Sequence, residues 1–251
     1  MASVARETVE FFHLVFLRAL LARGENKELI ALKGGCNLRF FFSSVRYSED
    51  IDLDVVVISK ETLENKVDRL LKSPVVTAPL LSRGVRLGDI SSPKQTETTQ
   101  RWKIGLTVER GVVPLRTKIE FSRRDAIADV AFEMVPAQVL APYGLTPMLA
   151  THYRAPAAIV QKINALAGRP EPQARDVFDL NLLFAHPDAA ETKLPAKARR
   201  MAAIENAMSV SFDDYSSQVL AYLEPAQAAL YDSKVAWETM QDSVVARLEG
   251  S

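Results

Sequence analysis

Apolar side chains recur at helical spacing through residues 5–23, where Val9, Phe12, Phe16 and Leu20 share one broad face, and the pattern stops at Gly24. Such periodicity with a glycine stop predicts an amphipathic helix packed on a core. Residues 28–32 read as a short strand leading into Gly34-Gly35, residues 35–43 as the helix that follows, and residues 50–58 as a second strand. Leu63, Val67, Leu70 and Leu71 then predict a helix over 61–72. From Pro74 to Val135 the chain takes on strand character at 75–81, 85–90, 101–109 and 115–122, with polar residues 91–99 as a loop or hairpin tip. In the last of these strands Leu115, Thr117, Ile119 and Phe121 alternate with Arg116, Lys118, Glu120 and Ser122, separating a buried face from a polar one.

Pro136, Pro142, Gly144 and Pro147 mark a connection, and a domain boundary is expected near Ala150, giving domains 1–150 and 151–251. Beyond it the pattern is helical. Residues 157–167 carry Lys162, the stretch Gly168-Arg169-Pro170-Glu171-Pro172 breaks the helix, residues 174–184 form the next one, and 195–248 continue in helices. The expected fold class is therefore α/β (α+β): a mixed sheet with flanking helices, followed by a C-terminal helical domain.

Composition narrows the possibilities. The chain has 251 residues, 48% hydrophobic and 25% charged, an ordinary globular mixture for one large domain or two modest ones. With 31 basic and 31 acidic residues there is no global field to draw in nucleic acid, so any such contact rests on local patches. Lys193, Lys197, Arg199 and Arg200 form one, readable equally as a solvated helix face. Cys36 alone cannot form an internal disulfide, and His13, His152 and His186 are scattered. The apolar run 11–22 is interrupted by His13 and Arg18 and is shorter than the roughly 20 residues of a membrane span. It also lacks a signal-peptide pattern, and a cytoplasmic protein without membrane association is expected. Trp102 and Trp237 are isolated and read as core residues.

The chemistry-bearing stretch is 32–58, where Asp50, Asp52 and Asp54 recur at every second position. In a strand such residues share a face, about 6.6–7 Å apart. Two carboxylates so placed suit Mg²⁺ (or Mn²⁺), which is bound by one or two carboxylates plus substrate phosphates. Gly34-Gly35 ahead of a helix offers backbone N–H groups and a helix N-terminus to phosphate oxygens. Phosphate and metal functions thus meet in one segment.

Gly34-Gly35 followed by an Asp-x-Asp strand resembles the nucleotidyltransferase superfamily of DNA polymerase beta. The fuller pattern, Lys33-Gly34-Gly35-Cys36-Asn37-Leu38-Arg39 with Arg46-Tyr47-Ser48-Glu49-Asp50-Ile51-Asp52, resembles the AbiEii/AbiGii toxin family of type IV toxin–antitoxin systems. So does Lys162-x-x-Ala165, Arg169, and Arg175-Asp176-x-x-Asp179 farther on. The resemblance implies a nucleotidyltransferase-fold sheet, with the helical domain completing an active-site cleft. It implies metal-dependent transfer of a nucleoside monophosphate from an NTP to an acceptor, with tRNA or another RNA as the first to test. Asp50, Asp52, Glu120, Lys162 and Asp176 are the catalytic candidates, the first three as metal ligands. Lys33, Gly34, Gly35, Arg39, Arg46, Ser48, Arg169 and Arg175 are the nucleotide-binding candidates. A cognate antitoxin is implied, without a stable complex.

Other readings of single residues stay open. Glu120 is a third metal ligand or a strand residue paired with Lys118 or Arg116; Asp54 touches metal or is a hydrogen-bonded structural group; Lys33 binds nucleotide or pairs with an acid. Either Asp176 or Asp179 is the functional acid, and Arg175 is also readable as a surface charge. Cys36 departs from the Ser or Thr common at its position and reads as a packing residue, with no histidine near it in sequence. Two other functions share the metal pair: a small-molecule nucleotidyltransferase of the antibiotic-modifying type, and a non-catalytic NTP-binding protein.

Overall fold

The structure is a computed structural model that describes residues 2–22, 28–109, 111, 113–124 and 126–250. Two compact units divide the chain: Met1–Phe41 with Ser48–Tyr153, and Phe42–Tyr47 with Arg154–Ser251. The first unit thus runs through Tyr153, past the expected boundary near Ala150, and gives up a six-residue segment to the second.

The first unit holds α1 (Ala2–Leu21), β1 (Ile30–Lys33), α2 (Gly34–Phe41), β2 (Ile51–Val55), α3 (Lys60–Lys72), α4 (Pro74–Leu81), β3 (Val85–Gln95), β4 (Thr99–Val108), β5 (Leu115–Arg123), β6 (Val130–Met134), α5 (Ala137–Leu140) and β7 (Leu149–Tyr153). Its strands form one sheet in the order β3-β4-β5-β2-β1-β7-β6. β2 runs parallel to β5 and β1 parallel to β7, and the remaining neighbours are antiparallel. The sheet is mixed, as expected. Phe12, Leu14, Phe16 and Leu17 of α1 are fully buried, and with Leu32, Leu53, Ile119, Phe121 and Trp102 they belong to one hydrophobic core. Burial of an aromatic or aliphatic side chain stabilises by roughly 1.5–3 kcal/mol, so α1 is held chiefly by this face. Trp102 is core, and its indole N–H donates to Asp68 Oδ1 at 2.8 Å.

Several elements differ from expectation. The expected end of the first helix at residues 23–24 lies outside the described residues. The apolar run 75–81, expected as a strand, is helix α4. Pro74 presets the first helical turn, Val76 and Leu80 are buried one turn apart, and Val75 and Leu81 are exposed. A short apolar run cannot be assigned by periodicity alone, and here the proline decides. β3 extends through the polar insert to Gln95, leaving a tight tip in which Thr96 N–H donates to the Thr99 carbonyl at 2.9 Å. β6 and β7, which no expected strand covers, flank the connection marked by Pro136, Pro142, Gly144 and Pro147, and α5 lies within it.

The second unit contains α6 (Ala155–Gly168), α7 (Ala174–Phe184), α8 (Lys197–Ser209), α9 (Phe212–Gln218), α10 (Pro225–Tyr231) and α11 (Lys234–Glu249). Ser211 caps α9 through a reciprocal capping box with Asp214. Trp237 is core, stacked on Tyr215 with ring centroids 4.5 Å apart. Among the described residues no helix is long and apolar enough to cross a membrane.

Candidate active site

The first unit brings the glycine turn and the carboxylates together. Gly34 takes φ +66°, and a Cβ built on it would lie 2.7 Å from Asp52 Oδ2. Glycine is required here for both its backbone conformation and its missing side chain. The turn is pressed against the Asp52 carboxylate, and α2 starts at Gly34, so its first-turn N–H groups open beside Asp52 without partners inside the helix.

Register assembles the rest of this face. Asp52 lies opposite Lys33 of β1 and Glu120 of β5, while the flanking pairs Ile51/Ile119 and Leu53/Phe121 are buried on the other face. Asp50 lies just ahead of β2 rather than within it, and its Oδ2 accepts from Lys118 Nζ at 2.7 Å. Glu120 is across from Asp52 but holds Arg101, whose Nε is 2.6 Å from Oε2. Among the described residues no three His, Cys, Asp or Glu side chains stand ready to hold a metal ion. The donor chemistry still fits Mg²⁺: Asp52 offers hard carboxylate oxygens against the glycine turn, and Asp50 carries a second carboxylate two residues earlier.

The other candidates of this unit have definite partners. Lys33 Nζ donates to Asp54 Oδ1 at 2.6 Å and to Ser122 Oγ at 2.9 Å. Asp54, 2% exposed, also accepts from the Tyr153 hydroxyl at 2.7 Å and Arg124 Nε at 3.2 Å, so it ties β1, β7 and the residue after β5 to β2 as a structural group. Arg39 pairs with Glu10 of α1 at 2.7 Å, and Tyr143 donates to the same carboxylate at 2.8 Å. Ser48 Oγ donates to the Asp50 carbonyl at 2.8 Å, supporting the carboxylate segment through its backbone.

Three residues that local sequence reading did not single out hold this region in place. Asn37 of α2 donates to the Tyr153 carbonyl at 3.0 Å and meets His152 Nδ1 at 2.9 Å, anchoring α2 to β7. His13 Nε2 lies 2.7 Å from Thr117 Oγ1, and Thr117 donates to the Glu49 carbonyl at 2.7 Å. The fold also brings His13 Nδ1 to 3.4 Å from Cys36 Sγ. Burial lowers His13 to about 3. Burial, reinforced by the Asp52 charge, holds the Cys36 thiol well above its ordinary range. A neutral imidazole beside a neutral thiol is not a nucleophilic dyad, which agrees with a packing role for Cys36.

In the second unit Lys162 of α6 donates to both acids of α7, at 3.0 Å to Asp176 Oδ1 and 2.6 Å to Asp179 Oδ2. Arg46 forks onto Asp179 with Nη2 at 3.0 and 3.2 Å from its two oxygens, and Arg169 Nε reaches Asp176 Oδ2 at 2.8 Å. Both carboxylates are fully buried, and Arg46 is 5% exposed. α6 ends at Gly168, so Arg169 meets Asp176 from the C-cap position rather than from a shared helix face with Lys162. Arg175 is half-buried in the first turn of α7. Burial alone would lower the Lys162 ammonium, but Asp179 and Asp176 outweigh it and raise its pKa. Asp179 is the converse: burial pushes it up, and Arg46 and Lys162 more than reverse this. Three cations on two carboxylates leave one net positive charge, with Lys162 side-chain exposure at 13%.

A protein-family model described as nucleotidyl transferase AbiEii toxin, type IV TA system, matches residues 15–247. Among solved structures, JHP933 from Helicobacter pylori superposes with a TM-score of 0.59 at 18% identity, covering 98% of this chain and 94% of the other. The structure of a "putative nucleotidyltransferase from H. pylori" gives 0.58 at 19% identity, covering 95% and 94%. These two likenesses show the fold. No curated protein matches the chain in sequence.

Proposed function

The chain belongs to the AbiEii nucleotidyltransferase toxin family of type IV toxin–antitoxin systems, and from that premise we propose that it transfers a nucleoside monophosphate from an NTP to an RNA acceptor. The observation that carries this reading is the contact of the Gly34 turn with Asp52, which puts phosphate-binding N–H groups beside a carboxylate suited to metal. Asp50 and Asp52 would hold Mg²⁺ (or Mn²⁺), which when bound stabilises negative charge on the transferring phosphoryl group. The first-turn amides of α2 hold and orient the triphosphate. The acceptor hydroxyl oxygen bonds to the α-phosphorus, the bond to the bridging oxygen breaks, and pyrophosphate leaves. The hydroxyl proton passes to solvent, and Glu120, in register with Asp52 and paired with Arg101, is the third carboxylate proposed for the metal. Lys162 carries the positive charge that the family pattern gives it, kept protonated by Asp176 and Asp179.

The acceptor is favoured as tRNA or another RNA by the polar face of β3, β4 and β5. Lys94 lies opposite Arg101 and Lys103 opposite Lys118, with Arg116 one step beyond. Arg101 is offset by Glu120 and Lys118 by Asp50, so Lys94, Lys103 and Arg116 are the cations this face offers a phosphate backbone. The donor is cytoplasmic NTP. Family membership implies a cognate antitoxin, which we propose acts without a stable complex; stoichiometric co-purification of a partner protein would contradict that. The test is incorporation of label from each α-³²P-NTP into total tRNA with Mg²⁺, for wild type, Asp50→Ala and Asp52→Ala. Loss of a metal ligand should lower transfer roughly a hundredfold, about 3 kcal/mol. Absence of label with every NTP overturns tRNA as the acceptor, and label that survives both substitutions overturns the site.

A further inference from the structure

Two consecutive carbonyls immediately ahead of β2, those of Glu49 and Asp50, lie within hydrogen-bond distance of side chains from β5 and α2 and of Ser48 beside them. Thr117 of β5 donates to the Glu49 carbonyl at 2.7 Å. Its one proton is thereby used, so the 2.7 Å contact with His13 Nε2 requires the ring to donate and the hydroxyl to accept. His13 of α1 is then the Nε2–H tautomer, with a bare Nδ1 facing Cys36 Sγ at 3.4 Å. Cys36 of α2 can donate there or to the Asp50 carbonyl at 3.3 Å, which also accepts from Ser48. His13, Cys36 and Thr117 are 0%, 1% and 3% exposed, so water does not substitute for a lost partner at low cost.

We infer that His13 and Thr117, with Cys36, are positioning residues that fix the Glu49–Asp50 backbone and thereby aim the Asp50 carboxylate. The inference rests on the reading of Asp50 as a metal ligand. Asp50 carries the second of these carbonyls, so the backbone they fix, together with the Lys118 contact at 2.7 Å, sets the direction of its carboxylate. The relay touches no substrate. Its residues lie on three elements, and the Thr117 hydroxyl serves both of its partners in one arrangement only, donating to Glu49 and accepting from His13.

The test uses the full chain in two assays, with Thr117→Val and His13→Leu as removals and Thr117→Ser and His13→Gln as conservative partners. Hydrogen exchange over residues 48–52 of the metal-free protein should accelerate about tenfold or more in the removals and return toward wild type in the conservative variants. Mn²⁺ binding in the presence of ATP, read by electron paramagnetic resonance, should weaken 10- to 100-fold in the removals, the range typical when groups supporting a metal ligand are lost. A merely structural role would lower the melting temperature and leave both readouts of the folded protein unchanged, and that result overturns the proposal. Faster exchange with unchanged Mn²⁺ affinity overturns the link from backbone to carboxylate. An Asp50→Asn control separates the two ideas. If that variant binds Mn²⁺ as wild type does, the metal reading of Asp50 fails, and the exchange result alone decides whether the relay fixes the backbone.

Discussion

Gly34→Ala tests the central geometry with an internal control. Two separate effects are expected. Gly34 has φ +66°, a conformation that raises an L-residue by roughly 1–2 kcal/mol. The added Cβ would also stand 2.7 Å from Asp52 Oδ2 and 3.3 Å from Asp52 Cβ. Rotating the carboxylate relieves the first contact but not the second, so β2 or α2 must also give. Gly144 supplies the comparison: its φ is +60°, and nothing lies within 4 Å of a Cβ built there. Gly144→Ala should therefore show the strain alone, lowering the melting temperature by about 2–8 °C at 2–4 °C per kcal/mol, with nucleotide transfer unchanged. Gly34→Ala should lose at least as much stability and, in addition, about a hundredfold in transfer, which corresponds to about 2.7 kcal/mol in the barrier. Thermal unfolding and label transfer on the same preparations measure both. If Gly34→Ala matches Gly144→Ala in melting temperature and retains wild-type transfer, then Asp52 is not held against the turn in the working enzyme, and the carrying observation of the proposed function is lost.

Other perturbations follow from the same contacts. Lys162→Met leaves Asp176 and Asp179 buried with one cation fewer, so urea unfolding should show a loss of about 3–5 kcal/mol. His13 is neutral when folded, with its pKa lowered from 6.5 to about 3. Between those values the unfolded chain binds more protons, so stability rises with pH across this window and falls as the pH drops, by up to about 1.4 kcal/mol per unit. His13→Gln should flatten the unfolding free energy over pH 3–6.5 relative to wild type; an unchanged slope would show that His13 is not buried neutral. Lys103→Gln removes a like charge opposite Lys118 and should stabilise by a few tenths of a kcal/mol, while reducing the salt dependence of tRNA binding by roughly one counterion. Equal tRNA affinity and salt slope would remove the basic face from acceptor binding.

Legibility followed the range of the interaction that decides each element. α3 and α7 were readable because their apolar residues repeat over several turns and local signals bound them, such as the Ser59 side chain accepting from Thr62 N–H. α4 was not, because a mostly apolar run of seven residues satisfies strand and helix alike, and the choice falls to Pro74 and to the burial of Val76 with Leu80. β6 and β7 were missed for another reason: they are short, their prolines and glycines lie just outside them, and β7 gains its place by parallel pairing of His152 with Leu32. That contact has no local sequence sign.

The same distinction applies inside the site. Gly34, Gly35, Asp50 and Asp52 lie within one short segment, so their proximity follows from turn and strand geometry. Glu120 needed the register of β5 on β2, a pairing across a long crossover that strand periodicity leaves undetermined. His13 and Thr117 gave no signal at all, since each sits on an apolar face where it reads as an ordinary interruption. Their significance arises only when the fold sets one beside the other and both against the Glu49 carbonyl. Substitution at such positions should therefore disturb the site while leaving every sequence motif intact. A chain carrying the full Gly-Gly and Asp-x-Asp pattern with Thr117→Val is the direct case: if motif residues alone made the site, it would bind Mn²⁺ with ATP as wild type does, whereas dependence on the fold beneath them requires a measurable loss.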